Sequence, residues 1–252
     1  MRIKTQREIQ LLKEGGKRLR DILSFLIQKV EVGMPTYDLD VLAREKIAQN
    51  GGKPSFLHYG KEFGNPFPSA VCVSLNEEVV HGIPKKERRI REGDIVSLDI
   101  GMWYEGLATD TARTTIVGKA SPDIFRLVES TRESLDAGIA TIKEGSSLRD
   151  FAKAVENIAK KNSLGVVRDL VGHGVGHEVH EPPQIANYVA GASGERFEAG
   201  MVVALEPMFT LGTWKVEVLE DEWTFITQDG SMSAHFEDTV VVTKEGVEII
   251  TR

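Results

Sequence analysis

Residues 172–183 read Gly-His-Gly-Val-Gly-His-Glu-Val-His-Glu-Pro-Pro, and carboxylates stand at the ends of apolar runs on both sides of that segment. The informative ones are Asp99, Asp110, Glu206 and Glu237. An ionised carboxylate beside apolar residues is costly unless it is paired, hydrogen-bonded or bound to a cation. Any one of the four alone reads as a strand-end or Arg-paired residue. Together with His173 they read as a buried metal site, and one His with four carboxylates would hold two divalent ions. Gly172, Gly174 and Gly176 either make turns or let the backbone crowd a ligand. His177-Glu178-Val179-His180 is one residue short of the His-Glu-x-x-His of helical zinc proteases, and Pro182-Pro183 opposes a helix there. No Walker loop occurs, and no Gly-x-Gly-x-x-Gly follows a strand. Cys72, between Val71 and Val73, reads as a small buried hydrophobe rather than a nucleophile. Phe67, Trp223 and Met208 read as core by base rate, although a substrate pocket needs such residues too.

The elements that must position these groups follow from periodicity. Thr5-Gln-Arg-Glu8 is a capping box ahead of a helical stripe, Ile9, Leu12, Gly16, Leu19, Leu23, Leu26 and Val30, that ends before Gly33. A second helix starts after Thr36 and stops at Asn50-Gly51-Gly52. Strand patterns cover 70–74, 95–104 and 107–117, helices 122–142 and 148–162, and strands 201–205, 214–219, 223–227 and 236–242.

The order of elements repeats, and so do individual residues. Gly33-x-x-Thr36-x-Asp38 resembles Gly145-x-x-Leu148-x-Asp150, and Gly93-x-Ile-Val-x-Leu-Asp99 resembles Gly200-x-Val-Val-x-Leu-Glu206. Val80-His81-x-x-Pro84 resembles Val179-His180-x-x-Pro183, and Asp110-Thr111 has a rough counterpart in Glu237-Asp238. Two related αβ halves, about 1–120 and 121–252, folded about a pseudo-twofold axis as one domain over 1–252, would set Asp99 opposite Glu206, Asp110 opposite Glu237 and His81 opposite His180.

The 252 residues suffice for a large single α/β core, and 41% hydrophobic content is ordinary for a soluble globule. No apolar run spans a bilayer, and the N-terminal residues lack the apolar run of a secretory signal. One cysteine excludes an internal disulfide and fits a reducing compartment. A net charge of -7 opposes general affinity for nucleic acid. The expected location is the cytoplasm.

Over essentially its full length the chain resembles type I methionine aminopeptidases. The resemblance rests on Ile3-Lys-Thr5, Asn76-Glu-Glu-Val-Val-His-Gly-Ile-Pro84, Gly93-Asp-Ile-Val-Ser-Leu-Asp99, Gly172-His-Gly-Val-Gly176, Glu206-Pro-Met208 and Ser233-Ala-His-Phe-Glu237. It implies an α+β pita-bread fold around a curved antiparallel sheet, removal of the initiator methionine, and metal ligands Asp99, Asp110, His173, Glu206 and Glu237, with Asp110 and Glu237 bridging. His81 and His180 match the family's substrate-contacting histidines. The side-chain pocket would draw on Phe67, Cys72 and Trp223. The chain departs from the family pattern at Asn65, Val179 and Asn187, positions expected to shape that pocket. Proline-specific peptidases of the same fold share the Gly-His-Gly-x-Gly-His-x-x-His-Glu run, but Glu206-Pro-Met208, Trp223 and Ala234-His-Phe-Glu237 resemble the methionine enzymes. A non-catalytic pita-bread binding domain would be expected to have lost ligands, and all five are present.

The implied chemistry is attack by a hydroxide bridging two divalent ions, with the peptide's amino group on one metal, the carbonyl polarised by the other, and Glu206 carrying the proton. One His among oxygen ligands suits manganese, iron or cobalt, with zinc and nickel left open. The implied partners are N-termini of nascent polypeptides met by a monomer, with a transient ribosome contact left open and no specific nucleic acid or membrane.

Overall fold

The computed structural model describes residues 3–252, the Phe63 side chain apart; Met1 and Arg2, the start of the N-terminal stretch read above, lie outside the described residues. Helix α1 (Gln6–Lys29) begins at the expected capping box: the Glu8 amide donates to Thr5 Oγ1 at 3.3 Å and the Thr5 amide to Glu8 Oε2 at 2.7 Å. It buries Ile9, Leu12, Leu19, Leu23 and Leu26, the stripe expected from the spacing. Helix α2 covers Thr36–Gln49. In the second half, α3 (Pro122–Ile139) is capped by Ser121, and α4 (Leu148–Lys161) opens with a capping box of Ser147 and Asp150. Helix α3 stops three residues before the expected Ile142: the Thr141 hydroxyl donates to the Gly138 carbonyl at 2.7 Å and competes with the helical ladder.

The main sheet is built from β1 (Lys53–Pro54), β2 (Cys72–Leu75), β4 (Ile95–Tyr104), β5 (Leu107–Ile116), β7 (Gly172–Gly174), β8 (Glu181–Ile185), β9 (Val202–Leu205), β14 (Glu237–Val242) and β15 (Val247–Ile249). Its order is β1-β4-β5-β14-β9-β7-β8, with β2 also on β4 and β15 also on β14, and the pairings are antiparallel. Two three-stranded sheets flank it: β3 (Glu78–Val80) with β11 (Val216–Val218) and β12 (Phe225–Thr227), and β6 (Gly165–Val166) with β10 (Met208–Thr210) and β13 (Ser233–His235). Strand patterns read at 214–219 and 223–227 shorten to β11 and β12.

The seam lies between β5 and β14, and the elements repeat on either side of it. Strand β4 carries β2 on its outer edge as β9 carries β7. One face of the sheet is covered by helices: Val96, Leu98, Ile100 and Met102 share a core with Leu19, Leu26 and Leu39 of α1 and α2. Val203, Leu205, Val240 and Val242 share a second core with Leu127, Phe151 and Val155 of α3 and α4. Each such buried side chain contributes about 1.5–3 kcal/mol, so the helical face anchors the sheet. Because side chains alternate, the intervening residues face the other way.

The histidine-containing segment carries no strand pattern in the sequence. Its first residues nevertheless pair as β7, with a register shift between His173 and Gly174. A Cβ at Gly174 would run into the Pro182 carbonyl oxygen, and Gly176, at φ 139°, lies against Lys4, so both positions require glycine for close approach or conformation.

Candidate active site

Strand register brings the expected ligands onto one face. Asp99 opposes Ala112, Asp110 opposes Gly101, and Glu237 opposes Ala112 from the other side, so three carboxylates surround two small residues. His173 opposes Ala204, on the same face as Glu206 two residues later. The four carboxyl groups and His173 line one cavity that also exposes Cys72, His81, His180, Phe67 and Trp223. Every site residue expected from the sequence is therefore at this cavity. Asp110, His173 and Glu237 each offer a ligand atom within 4.8 Å of the others'.

The electrostatics of this face are unfavourable as it stands. Asp99 is pushed well above the usual carboxylate range by burial and by the charges of Asp110 and Glu206. Burial, with neighbouring carboxylates, likewise raises Glu206 and Glu237, and burial raises Asp110 to about 7. Asp99 Oδ1 and Glu237 Oε1 are buried without a hydrogen-bond partner. Among the described residues no Lys or Arg forms an ion pair with any of the four. Like charges crowded in low dielectric, with acceptor oxygens aimed at one another, are what a divalent cation relieves. The hard oxygen set with one imidazole fits such an ion.

His173 is prepared for the ligand role. Its Nδ1 bonds the Gly174 carbonyl at 2.9 Å, which places the proton there and turns the Nε2 lone pair inward, 3.3 Å from Glu206 Oε1. Burial, then the charge of His180, holds its pKa down at about 3.

The two further histidines are supported differently. His81 sits in the left-handed region at φ 58°, edge-on to Phe225 at 5.7 Å and Trp223 at 6.3 Å between ring centres. Burial, then His180, lowers its pKa to about 4. His180 is open to solvent at the mouth and bonds the Tyr59 hydroxyl through Nδ1 at 2.7 Å. The loop carrying His180 is tied to the N-terminus. Lys4 Nζ meets Glu181 Oε2 at 2.7 Å in a buried ion pair, Glu181 Oε1 accepts from the His177 amide at 2.6 Å, and His177 Nε2 bonds Glu8 Oε1 at 2.7 Å.

The apolar wall joins Phe56, Phe67, Cys72 and Val179, with Tyr59 and Trp223 packed against them. Phe67 and Trp223 meet edge to face at 5.3 Å. The Cys72 thiol is pushed far up by burial and by Asp99, which holds it protonated and unreactive. Phe56 and Tyr59 also line the cavity; they lie in an irregular stretch without periodicity, so no pattern in the sequence marks them. Of the three departures from the family pattern, Val179 packs with Phe56, Phe67 and Cys72 behind the cavity without lining it. Asn187 is fully buried, and its Nδ2 braces the Glu206 carbonyl at 3.1 Å. Asn65 Nδ2 bonds the Asp221 carbonyl at 3.3 Å and Glu222 at 3.1 Å, joining the loop before Phe67 to the one bearing Trp223.

Residues 10–244 match the model of metallopeptidase family M24. The chain is 41% identical to a methionine aminopeptidase of Aquifex aeolicus over 98% of its length and 97% of the relative's. The chain belongs to the methionine aminopeptidases of family M24. The crystal structure of methionine aminopeptidase from Thermotoga maritima superposes with a TM-score of 0.95 at 43% identity, covering 100% of this chain and 99% of that one. The fold is accordingly the pita-bread fold of this family. Prolidase from Pyrococcus furiosus, at 22% identity and a TM-score of 0.79, shares the fold, with this chain spanning 65% of its length.

Proposed function

We propose that this cavity removes the N-terminal methionine from peptides and nascent polypeptides whose second residue is small, and that Asp99, Asp110, His173, Glu206 and Glu237 would hold the two divalent ions the reaction would use. The observation that carries the reading is the buried carboxylate face: four acidic groups and one inward-turned imidazole in a single cavity with no protein cation among them. Four carboxylates bring a charge of about -4, which two divalent ions cancel. When bound, such ions polarise a carbonyl and lower the pKa of water from 15.7 toward about 7. Manganese, iron or cobalt suits the donor set.

Glu206 faces both His173 and the cavity, so its carboxylate takes the proton of the attacking water and delivers it to the departing amide nitrogen. His81 and His180, not needed as ligands, face the substrate and donate hydrogen bonds that strengthen as charge develops on the scissile carbonyl. The wall of Phe67, Cys72 and Trp223, with Phe56 and Tyr59, receives the unbranched thioether of methionine. The reading extends to a cytoplasmic monomer acting on the N-termini of nascent polypeptides.

The test is cleavage of Met-Ala-Ser and Ala-Pro-Ala peptides with and without chelator. Release of methionine from the first, abolished by chelator and restored by divalent ion at a stoichiometry of two, is the expected result. Faster cleavage of the second would assign the cavity to the proline-specific chemistry of the same fold.

A further inference from the structure

His235 is 1% exposed and neither of its ring nitrogens has a hydrogen-bond partner. An imidazole buried in that state costs about 1–3 kcal/mol, so its retention at this position needs a compensating contact. Its Nε2 faces Glu206 Oε2 at 3.7 Å, just beyond bonding distance, while the other oxygen of that carboxylate lies against His173.

The backbone of His235 is fixed from two directions. Thr114, on the strand that carries Asp110, accepts from the His235 amide at 3.0 Å and donates to its carbonyl at 2.7 Å. Thr114 in turn bonds Ser97, two residues from Asp99, at 2.8 Å. On the other side His235 pairs with Met208, two residues beyond Glu206. The ring is thus indexed to both ends of the carboxylate cluster without being at its centre, and it does not line the cavity.

We propose that His235 is a positioning residue for Glu206: as the Nε2–H tautomer it donates to Glu206 Oε2, fixes the rotation of that carboxylate, and leaves Oε1 presented to the reacting groups. A movement of a few tenths of an ångström closes the contact. The inference rests on Glu206 being the proton carrier of the proposed reaction, and it concerns how that carboxylate is held rather than which substrate is cut.

The test compares His235→Gln and His235→Leu in the metal-loaded enzyme, with metal content, Tm, kcat and KM measured together. Glutamine can donate from a similar reach, and leucine cannot. His235→Leu should lower kcat by about 10–100-fold at unchanged KM and wild-type metal stoichiometry, the cost typical of losing a partner that orients a metal-site carboxylate. His235→Gln should recover most of that loss. Equal kcat in His235→Leu and wild type, or a Gln variant as slow as the Leu variant, would overturn the role. Metal loss in His235→Leu matching that of His173→Ala would instead make His235 a ligand. Should the leucine variant not fold, nitrogen-15 histidine spectra of the zinc-loaded wild type decide: the resonance that disappears in His235→Gln must carry its proton on Nε2, and a proton on Nδ1 refutes the proposal. If methionine release itself is absent while that tautomer is seen, the functional reading fails and the positioning contact stands.

Discussion

The two halves of the cavity use the same strand register for different ends. Ser74 opposes Ser97 in the first half as His173 opposes Ala204 in the second, and each stands seven residues before a cavity histidine, His81 or His180. At the position where the second half has an imidazole turned toward Glu206, the first half has a hydroxyl that accepts from the Gly82 amide at 3.1 Å and shapes the turn after His81. The support of the two histidines also crosses over. His81 of the first half rests on Trp223 and Phe225 of the second, and His180 of the second half bonds Tyr59 of the first. The repeated element order gives equivalent positions in the two halves, and a difference at a single residue separates a hydroxyl that holds the turn from an imidazole that faces the carboxylates.

The largest expected effect tests that division directly. Asp110→Ala and His173→Ala should each lose divalent-ion affinity and lower kcat/KM by at least about a thousandfold, whereas Ser74→Ala should keep full metal content and cost only about 1 kcal/mol of stability. Titration calorimetry and Tm check both, and metal loss in Ser74→Ala would break the comparison.

Next in size are the two histidines outside the ligand set. His81→Ala and His180→Ala are each expected to reduce kcat by about 10²–10³, or 2.7–4 kcal/mol, at wild-type metal content. Tyr59→Phe sharpens the contrast: it removes the partner of His180 alone, so a loss of about fivefold in kcat is expected, near 1 kcal/mol. An equal loss in a Tyr59→Phe, His180→Ala double variant relative to His180→Ala would show that Tyr59 acts elsewhere.

A smaller effect appears in stability. In the metal-free protein Asp110 moves from 3.8 to about 7, and Asp99, Glu206 and Glu237 also move up. Raised carboxylates contribute stability that is complete below about pH 4 and is lost as pH rises through their folded values, so the metal-free Tm should fall between about pH 5 and pH 8. Saturating divalent ion should abolish that fall. The N-terminal tie behaves oppositely: Glu8, held at about 2 by the Thr5 amide and then His177, contributes stability present above about pH 4.5 and lost as pH drops toward 2. A metal-free Tm that rises from pH 5 to 8 would contradict the charge crowding in the cavity.

Much of this was legible locally. The capping box of Thr5 and Glu8, the stripe of α1 and the alternation of β4 and β5 depend on neighbours a few residues apart, and the repeat of Gly93–Asp99 in Gly200–Glu206 marked β4 and β9 as equivalent strands. Helix α3 ends early and β7 forms where the sequence shows no strand pattern, because Thr141 and the close packing of Gly174 act on backbone groups that periodicity does not register.

The sequence by itself determined the candidate donor set, the repeated order of elements and the family, because residue types and short spacings carry those. Tertiary structure alone decided which face the carboxylates share and what stands beside each group. Tyr59 reaches His180, and Thr114 reaches His235, each across 121 residues. Asn187, a departure expected to shape the pocket, turned out to brace the Glu206 carbonyl. Burial and partnering set charge state, and both arise from contacts between segments far apart in the chain, so no local pattern records them.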